Sequence, residues 1–154
     1  MRAYLAGAIE HSPDRGKAWR DEMNFFLQEQ LHHSCYNPLI EESKYLSLEE
    51  LATFRSYKAT DIELFRSLVR RLIDGDLNAL NSNIDYVICY WDKYAIKGGG
   101  TYGELTFAYW KKIPVYMVTD LPLATISSWI LGCTTQIFST LDDLKDFLLK
   151  KYKN

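Results

Sequence analysis

Residues 85–91, Asp-Tyr-Val-Ile-Cys-Tyr-Trp, form an almost continuously apolar run rich in β-branched and aromatic side chains. The run is too short for a helix and lacks the alternation of a half-exposed strand, so it reads as a strand buried on both faces, at the middle of a parallel sheet. Parallel neighbours can be joined only by crossovers, which demands helices between the strands. The rest of the chain supplies them. Residues 2–9 are an apolar run ending near Gly7, and over 15–33 the residues Ala18, Met23, Phe26, Leu27 and Leu31 recur at helical spacing. Residues 35–39 read as a short strand stopped by Asn37-Pro38, and Ser47-Leu-Glu-Glu as a capping box opening a helix. Residues 56–80 are helical again, with a break or kink expected near Asp74-Gly75. After a glycine-rich loop come a helix over 104–112, strands over 114–119 and 135–138, and a helix over 141–152. The expected architecture is a single domain over 1–154: a doubly wound, flavodoxin-like three-layer α/β sandwich with a five-stranded, mostly parallel sheet.

Composition narrows the function classes. A net charge of −2 over 154 residues gives no field for capturing a polynucleotide or an anionic membrane. No apolar stretch approaches twenty residues and Met1-Arg2 leads straight into a strand pattern, so a cytoplasmic protein is expected. Cys35, Cys89 and Cys133 are an odd, scattered set that suits a reducing compartment, and Cys89 reads as an inert buried thiol. His32-His33 and Cys35 have no second ligand pair at a recognisable spacing, so neither a metal nor a cofactor is expected.

In a sheet of this order, strands one and three are neighbours whose helices lie on opposite faces, leaving a crevice beyond their carboxyl ends. Two loops should meet there: residues 6–15, and residues 92–103 carrying Lys-Gly-Gly-Gly-Thr-Tyr-Gly before Glu104. Glycines allow close backbone approach to a ligand, and a helix opening at Glu104 would hold that carboxylate ionised by its dipole. A nucleophile is one reading of Glu104; a simple helix-capping acid is the other. The segment 98–103 also satisfies G-x-G-x-x-G, with Asp120 about twenty residues on. Six residues between Trp91 and Gly98 spoil the tight turn of that dinucleotide motif, and Glu104 would face the pyrophosphate. Glu104-Leu105 likewise stands where a P-loop requires Lys-Ser/Thr.

Four segments in order resemble the nucleoside 2-deoxyribosyltransferase family. Residues 3–8, Ala-Tyr-Leu-Ala-Gly-Ala, are similar to its opening strand and turn, and 74–80 with Ile84-Asp85 to its Asn-Asp-Leu helix end. Residues 100–108, Gly-Thr-Tyr-Gly-Glu-Leu-Thr-Phe-Ala, are similar to its Gly-x-x-x-Glu-Leu-Gly-x-Ala segment, and 122–132 with Ser128-Trp129 to its late loop. Residues 41–70 are longer and more helical than the family pattern, and Thr106 and Thr125 replace a glycine and an asparagine.

The resemblance implies a covalent glycosyl ester on Glu104, aimed by Tyr4, with Asp76 holding the departing base and its proton. It further implies substrate contacts from Gly7, Ala8, Asp92, Gly100, Tyr102, Thr125 and Ser127, with Asp92 a second candidate for Asp76's task. Nucleosides and free nucleobases would be the partners, and a homo-oligomer, a dimer or trimer of dimers, would complete each site with a neighbouring subunit. Transfer of 2-deoxyribose between bases is the expected activity. Hydrolysis of a deoxynucleoside 5′-monophosphate and a non-catalytic nucleotide-binding module are the alternatives.

Overall fold

The computed structural model describes residues 1–153. Five strands, β1 (Arg2–Gly7), β2 (Ser34–Tyr36), β3 (Tyr86–Tyr90), β4 (Val115–Val118) and β5 (Gln136–Phe138), pair in parallel throughout. Their order, β2-β1-β3-β4-β5, is the flavodoxin-like one, with the apolar run of β3 at the centre. The helices are α1 (Lys17–Leu31), α2 (Pro38–Glu41), α3 (Leu48–Thr53), α4 (Tyr57–Thr60), α5 (Ile62–Ser82), α6 (Gly99–Trp110), α7 (Ser128–Cys133) and α8 (Leu141–Tyr152).

Side chains alternate across each strand, so the sheet feeds two cores. On one face Leu5, Ile88 and Val118 meet Met23 and Leu27 of α1 and Leu144 and Leu148 of α8. On the other, Tyr4, Val87 and Met117 meet Leu80 of α5, Leu105 and Ala108 of α6, and Ile130 of α7. Helices α1 and α6, which follow β1 and β3, therefore lie on opposite faces and leave a crevice between them. A third, smaller core of Leu46, Phe54 and Leu68 ties the segment after β2 to α5.

Three local expectations are corrected. β2 ends at Tyr36 rather than Leu39, because Asn37 turns the chain into α2: its side chain accepts from Leu39 N at 3.1 Å and Pro38 takes the first helical position. α5 runs unbroken through Asp74-Gly75. Gly75 is there for space, since a Cβ would stand 2.4 Å from the ring of Tyr45 packed on it. α6 begins at Gly99, inside the glycine run, and not at Glu104. The capping box stands as read, with Ser47 and Glu50 bonding reciprocally. His33 Nδ1 bonds the Tyr86 hydroxyl at 2.8 Å and Cys35 Sγ the Asn24 side chain at 2.9 Å, so both serve packing. Cys89 is buried, which pushes its thiol up. Among the described residues no helix is long and apolar enough to cross a membrane.

Candidate active site

The parallel register puts Tyr4 beside Val87 on one side and Tyr36 on the other, and the two tyrosine rings stack with centroids 5.1 Å apart. Both hydroxyls reach toward the helices covering that face. Tyr4 donates to Glu104 Oε1 at 2.8 Å, and Tyr36 donates to Asp76 Oδ1 at 3.0 Å. Two adjacent strands thus supply one phenol to each of two carboxylates, which come from α6 and α5. The Tyr45 hydroxyl lies 3.4 Å from that of Tyr36 and extends the chain outward.

Because α6 starts at Gly99, Glu104 falls in the second helical turn, beyond the reach of the dipole at the first. Its ionisation is set by other forces. Burial pushes Glu104 up to about 7, the nearby Asp76 carboxylate adds to the rise, and the Tyr4 hydrogen bond and Arg20 oppose it. Burial likewise raises Asp76 to about 6, against the tyrosine hydroxyls and Arg20. Both acids are thus harder to ionise than free carboxyls, and charge on Asp76 makes Glu104 harder still to ionise. The expectation that a helix dipole keeps Glu104 ionised is therefore replaced by a carboxyl whose ionisation burial and the Asp76 carboxylate oppose. Burial and the same carboxylates push the Tyr4 phenol well up, which keeps it a donor.

Arg20 of α1 is fully buried and forms no salt bridge with a carboxylate among the described residues. Its guanidinium donates instead to main-chain oxygens of the loop after β1, including Gly7 at 2.9 Å, Gly16 at 3.0 Å and Ala8 at 3.3 Å, and stacks on the ring of Trp19. Gly16 is held at φ 68°, where a Cβ would lie 2.2 Å from that guanidinium. The loop is thus wrapped around a buried positive charge, which favours the ionised forms of Glu104 and Asp76.

Glu104 and Asp76 stand where two hollows adjoin. The first, about 170 Å³, is walled by Ala8, Glu10, His11, Glu42, Arg55 and Gly99 among others. The second, about 230 Å³, shares Asp76, Glu104, Gly99 and Gly100 and adds Ile73, Leu77 and Gly103. Together they reach the lower range of small-molecule sites, roughly 300–1,000 Å³. A Cβ at Gly99 or Gly100 would meet no atom within 4 Å, so their missing side chains leave open the space beside Glu104.

Of the residues singled out from sequence, Glu104, Tyr4, Asp76, Gly7, Ala8 and Gly100 come together here. Four do not. Asp92 accepts from Tyr94 N and Ala95 N, each at 2.9 Å, closing a turn and facing a different hollow beside Ser12 and Asp14. Tyr102 packs edge-on against Trp91, which takes it out of the cavity. Thr125 bonds the carbonyl of Pro122 at 2.7 Å, and it and Ser127 are exposed, away from both hollows. Tyr36, Arg20, Glu42 and Arg55 are site residues that sequence reading passed over. Arg20 left a trace: with Met23 and Leu27 it sits at i, i+3, i+7 on the apolar stripe of α1. Arg55 left none, since nothing local says that the segment carrying it folds back over the crevice.

An ionisable carboxylate held by a phenol, next to a second acid able to carry a proton, and open to a cavity, can attack an electrophilic carbon while the neighbour protonates the leaving group. No family model and no curated protein matches the chain by sequence. Among solved structures the chain is similar to the 2-deoxyribosyltransferase of the psychrotolerant bacterium Bacillus psychrosaccharolyticus, described as a biocatalyst for the synthesis of nucleosides. The TM-score is 0.62 and the identity 14%, with 95% of this chain and 91% of that one covered. The likeness establishes a shared fold, the one that the sequence resemblance implies.

Proposed function

We propose that the chain cleaves and re-forms the N-glycosidic bond of a 2′-deoxynucleoside, with Glu104 as the nucleophile. The observation that carries this reading is the Glu104 carboxylate, hydrogen-bonded by Tyr4 and set beside Asp76 at the junction of two hollows. The neighbour of shared fold, a 2-deoxyribosyltransferase, supports it.

In the reactive state Asp76 is protonated and Glu104 ionised, the reverse of the order in which the free site ranks them. A Glu104 oxygen bonds to C1′ as the bond from C1′ to the base nitrogen breaks, and the electron pair leaves with the base, which takes the Asp76 proton. Positive charge building on the sugar in the oxocarbenium-like transition state favours the ionised form of Glu104, while Tyr4 fixes the attacking oxygen. The incoming base then attacks C1′ from the face opposite Glu104, the ester bond breaks with its electron pair returning to the Glu104 carboxylate, the N–H proton of the incoming base passes to Asp76, and the configuration is retained. Ile73 and Leu77 give an apolar wall for a nucleobase.

Thr125 and Ser127, remote from this chain's own cavity, would serve that of a second copy. The exposed Trp110 and Trp129, 77% and 65% accessible, would be covered in such an oligomer. Water in place of the second base would give hydrolysis. The test is incubation with deoxyadenosine and free cytosine, followed by chromatography. Deoxycytidine is expected; adenine and free deoxyribose alone would make the chain a hydrolase, and neither product would leave only a binding module.

A further inference from the structure

The first hollow carries a cation that the reaction above does not use. Arg55 lies in the segment after β2, in the 3₁₀ turn Phe54–Ser56, and its guanidinium stacks 4.4 Å from the centroid of the buried Phe54 ring. It makes no hydrogen bond or ion pair with any described residue, although carboxylates are close. Those carboxylates are already engaged. Glu42 pairs with Arg15 at 2.8 Å, and Glu10 pairs with Lys58. A partly buried arginine with its N–H edge unmatched, in a cavity whose flanking acids are neutralised, is an arrangement that stabilises an anion.

The same hollow supplies more donors. The main-chain N–H groups of Ile9, Glu10 and His11 have no acceptor among the described residues, and the first turn of α6 carries no side-chain cap. The second hollow shares Gly99 and Gly100 of that turn, but it has no cation and none of the Ile9–His11 N–H groups, and Ile73 and Leu77 make its wall apolar. With Glu104 and Asp76 at the junction, the site has three zones in order: an apolar one, an acidic one and a donor-rich one. A nucleotide has the matching order of base, sugar and phosphate.

We infer that Arg55 forms an anion subsite that takes a phosphate borne by the sugar of the substrate, so that deoxynucleoside monophosphates are preferred over the nucleosides. The inference rests on the proposed glycosidic chemistry for its substrate class, and on Arg55 alone for the preference. A charge-assisted, bidentate contact of this kind corresponds to a preference of about 10- to 100-fold.

The experiment compares the four 2′-deoxynucleosides with their 5′- and 3′-monophosphates, in wild type, Arg55→Gln and Arg55→Lys. Release of base gives kcat/KM, and calorimetry gives the binding constant of each compound. The expected result is a monophosphate-to-nucleoside ratio of about 10 to 100 in the wild type, largest for the 5′-phosphate. That ratio falls toward unity in Arg55→Gln and is partly restored in Arg55→Lys. A wild-type ratio near one, or a ratio unchanged in Arg55→Gln, would overturn the subsite. If no compound is cleaved, the glycosidic reading fails by itself, and the calorimetric ratio still decides the subsite in the same way. Circular dichroism of both variants keeps a folding defect from passing as a loss of recognition.

Discussion

At the residue scale the ionisation of Glu104 is set by burial and Asp76 against Tyr4 and Arg20. Glu104 must be ionised to attack, so the acid limb of the pH profile of kcat/KM reports its ionisation in the free protein. Two substitutions should move that limb in opposite directions. Asp76→Asn removes the neighbouring like charge, so Glu104 ionises more readily and the limb shifts to lower pH, while the rate at its maximum drops because the leaving base loses its proton donor. Tyr4→Phe removes a hydrogen bond to the charged form, so the limb shifts to higher pH, with turnover slowed about 10- to 100-fold. Shifts in the same direction, or none, would show that Asp76 and Tyr4 do not act on Glu104 in these opposed ways. Glu104, Tyr4 and Asp76 could be singled out in sequence through the segments that carry the family resemblance, and the fold brings them to one place. Tyr36 and Arg55 were not, because their roles come from strand register and from a fold-back that no local pattern encodes.

At the element scale the segment from α2 to α4 sets this site apart. Its helical content and the Ser47 capping box could be read directly, since they follow from local hydrogen bonding. What could not be read is that Leu46, Phe54 and Leu68 make a core of their own, which brings Glu42 and Arg55 over the crevice. Gly75 illustrates the same limit. A glycine next to an aspartate suggests a helix break, yet α5 continues, and the missing side chain is needed by Tyr45. Gly75→Ala should therefore destabilise the fold by about 1–3 kcal/mol, despite alanine's better helix propensity. Urea denaturation would measure it; a neutral or stabilising effect would mean that Tyr45 does not rest on α5. Where α6 starts also escaped the sequence, because glycine has weak helix propensity and only the packing of Leu105 and Ala108 on the sheet offsets it.

At the scale of the whole molecule the alternation of strands and helices and the two-faced core follow from hydrophobic patterning, and the strand order from the economical way to wind five such strands, which is why the fold was the most legible level. Placing the reactive pair inside that fold has a thermodynamic consequence. Both acids have folded values, about 7 for Glu104 and about 6 for Asp76, above their ordinary 4.5 and 3.8. The folded state therefore binds more protons than the unfolded one between these limits. Their contribution to stability is complete below about pH 4 and is lost as the pH rises through 6 to 7. Thermal unfolding should accordingly show a lower Tm at pH 8 than at pH 5, with a loss of order 1–3 kcal/mol. Glu104→Gln should flatten that dependence, and an unchanged slope in the variant would place the titrating group elsewhere.

The central claim is that the sugar passes through an ester on Glu104, and the most direct measurement is to trap it. The protein is mixed with deoxyadenosine, or with deoxyadenosine 5′-monophosphate, quenched in acid within the first turnovers, digested and examined by mass spectrometry. The peptide containing Glu104 should gain the mass of one 2-deoxyribosyl group, or its phosphate, and fragmentation should place the group on the Glu104 carboxylate, with no adduct and at least a 10³-fold slower reaction in Glu104→Ala. Base release with undiminished rate in Glu104→Ala, or an adduct on any other side chain, would contradict the account.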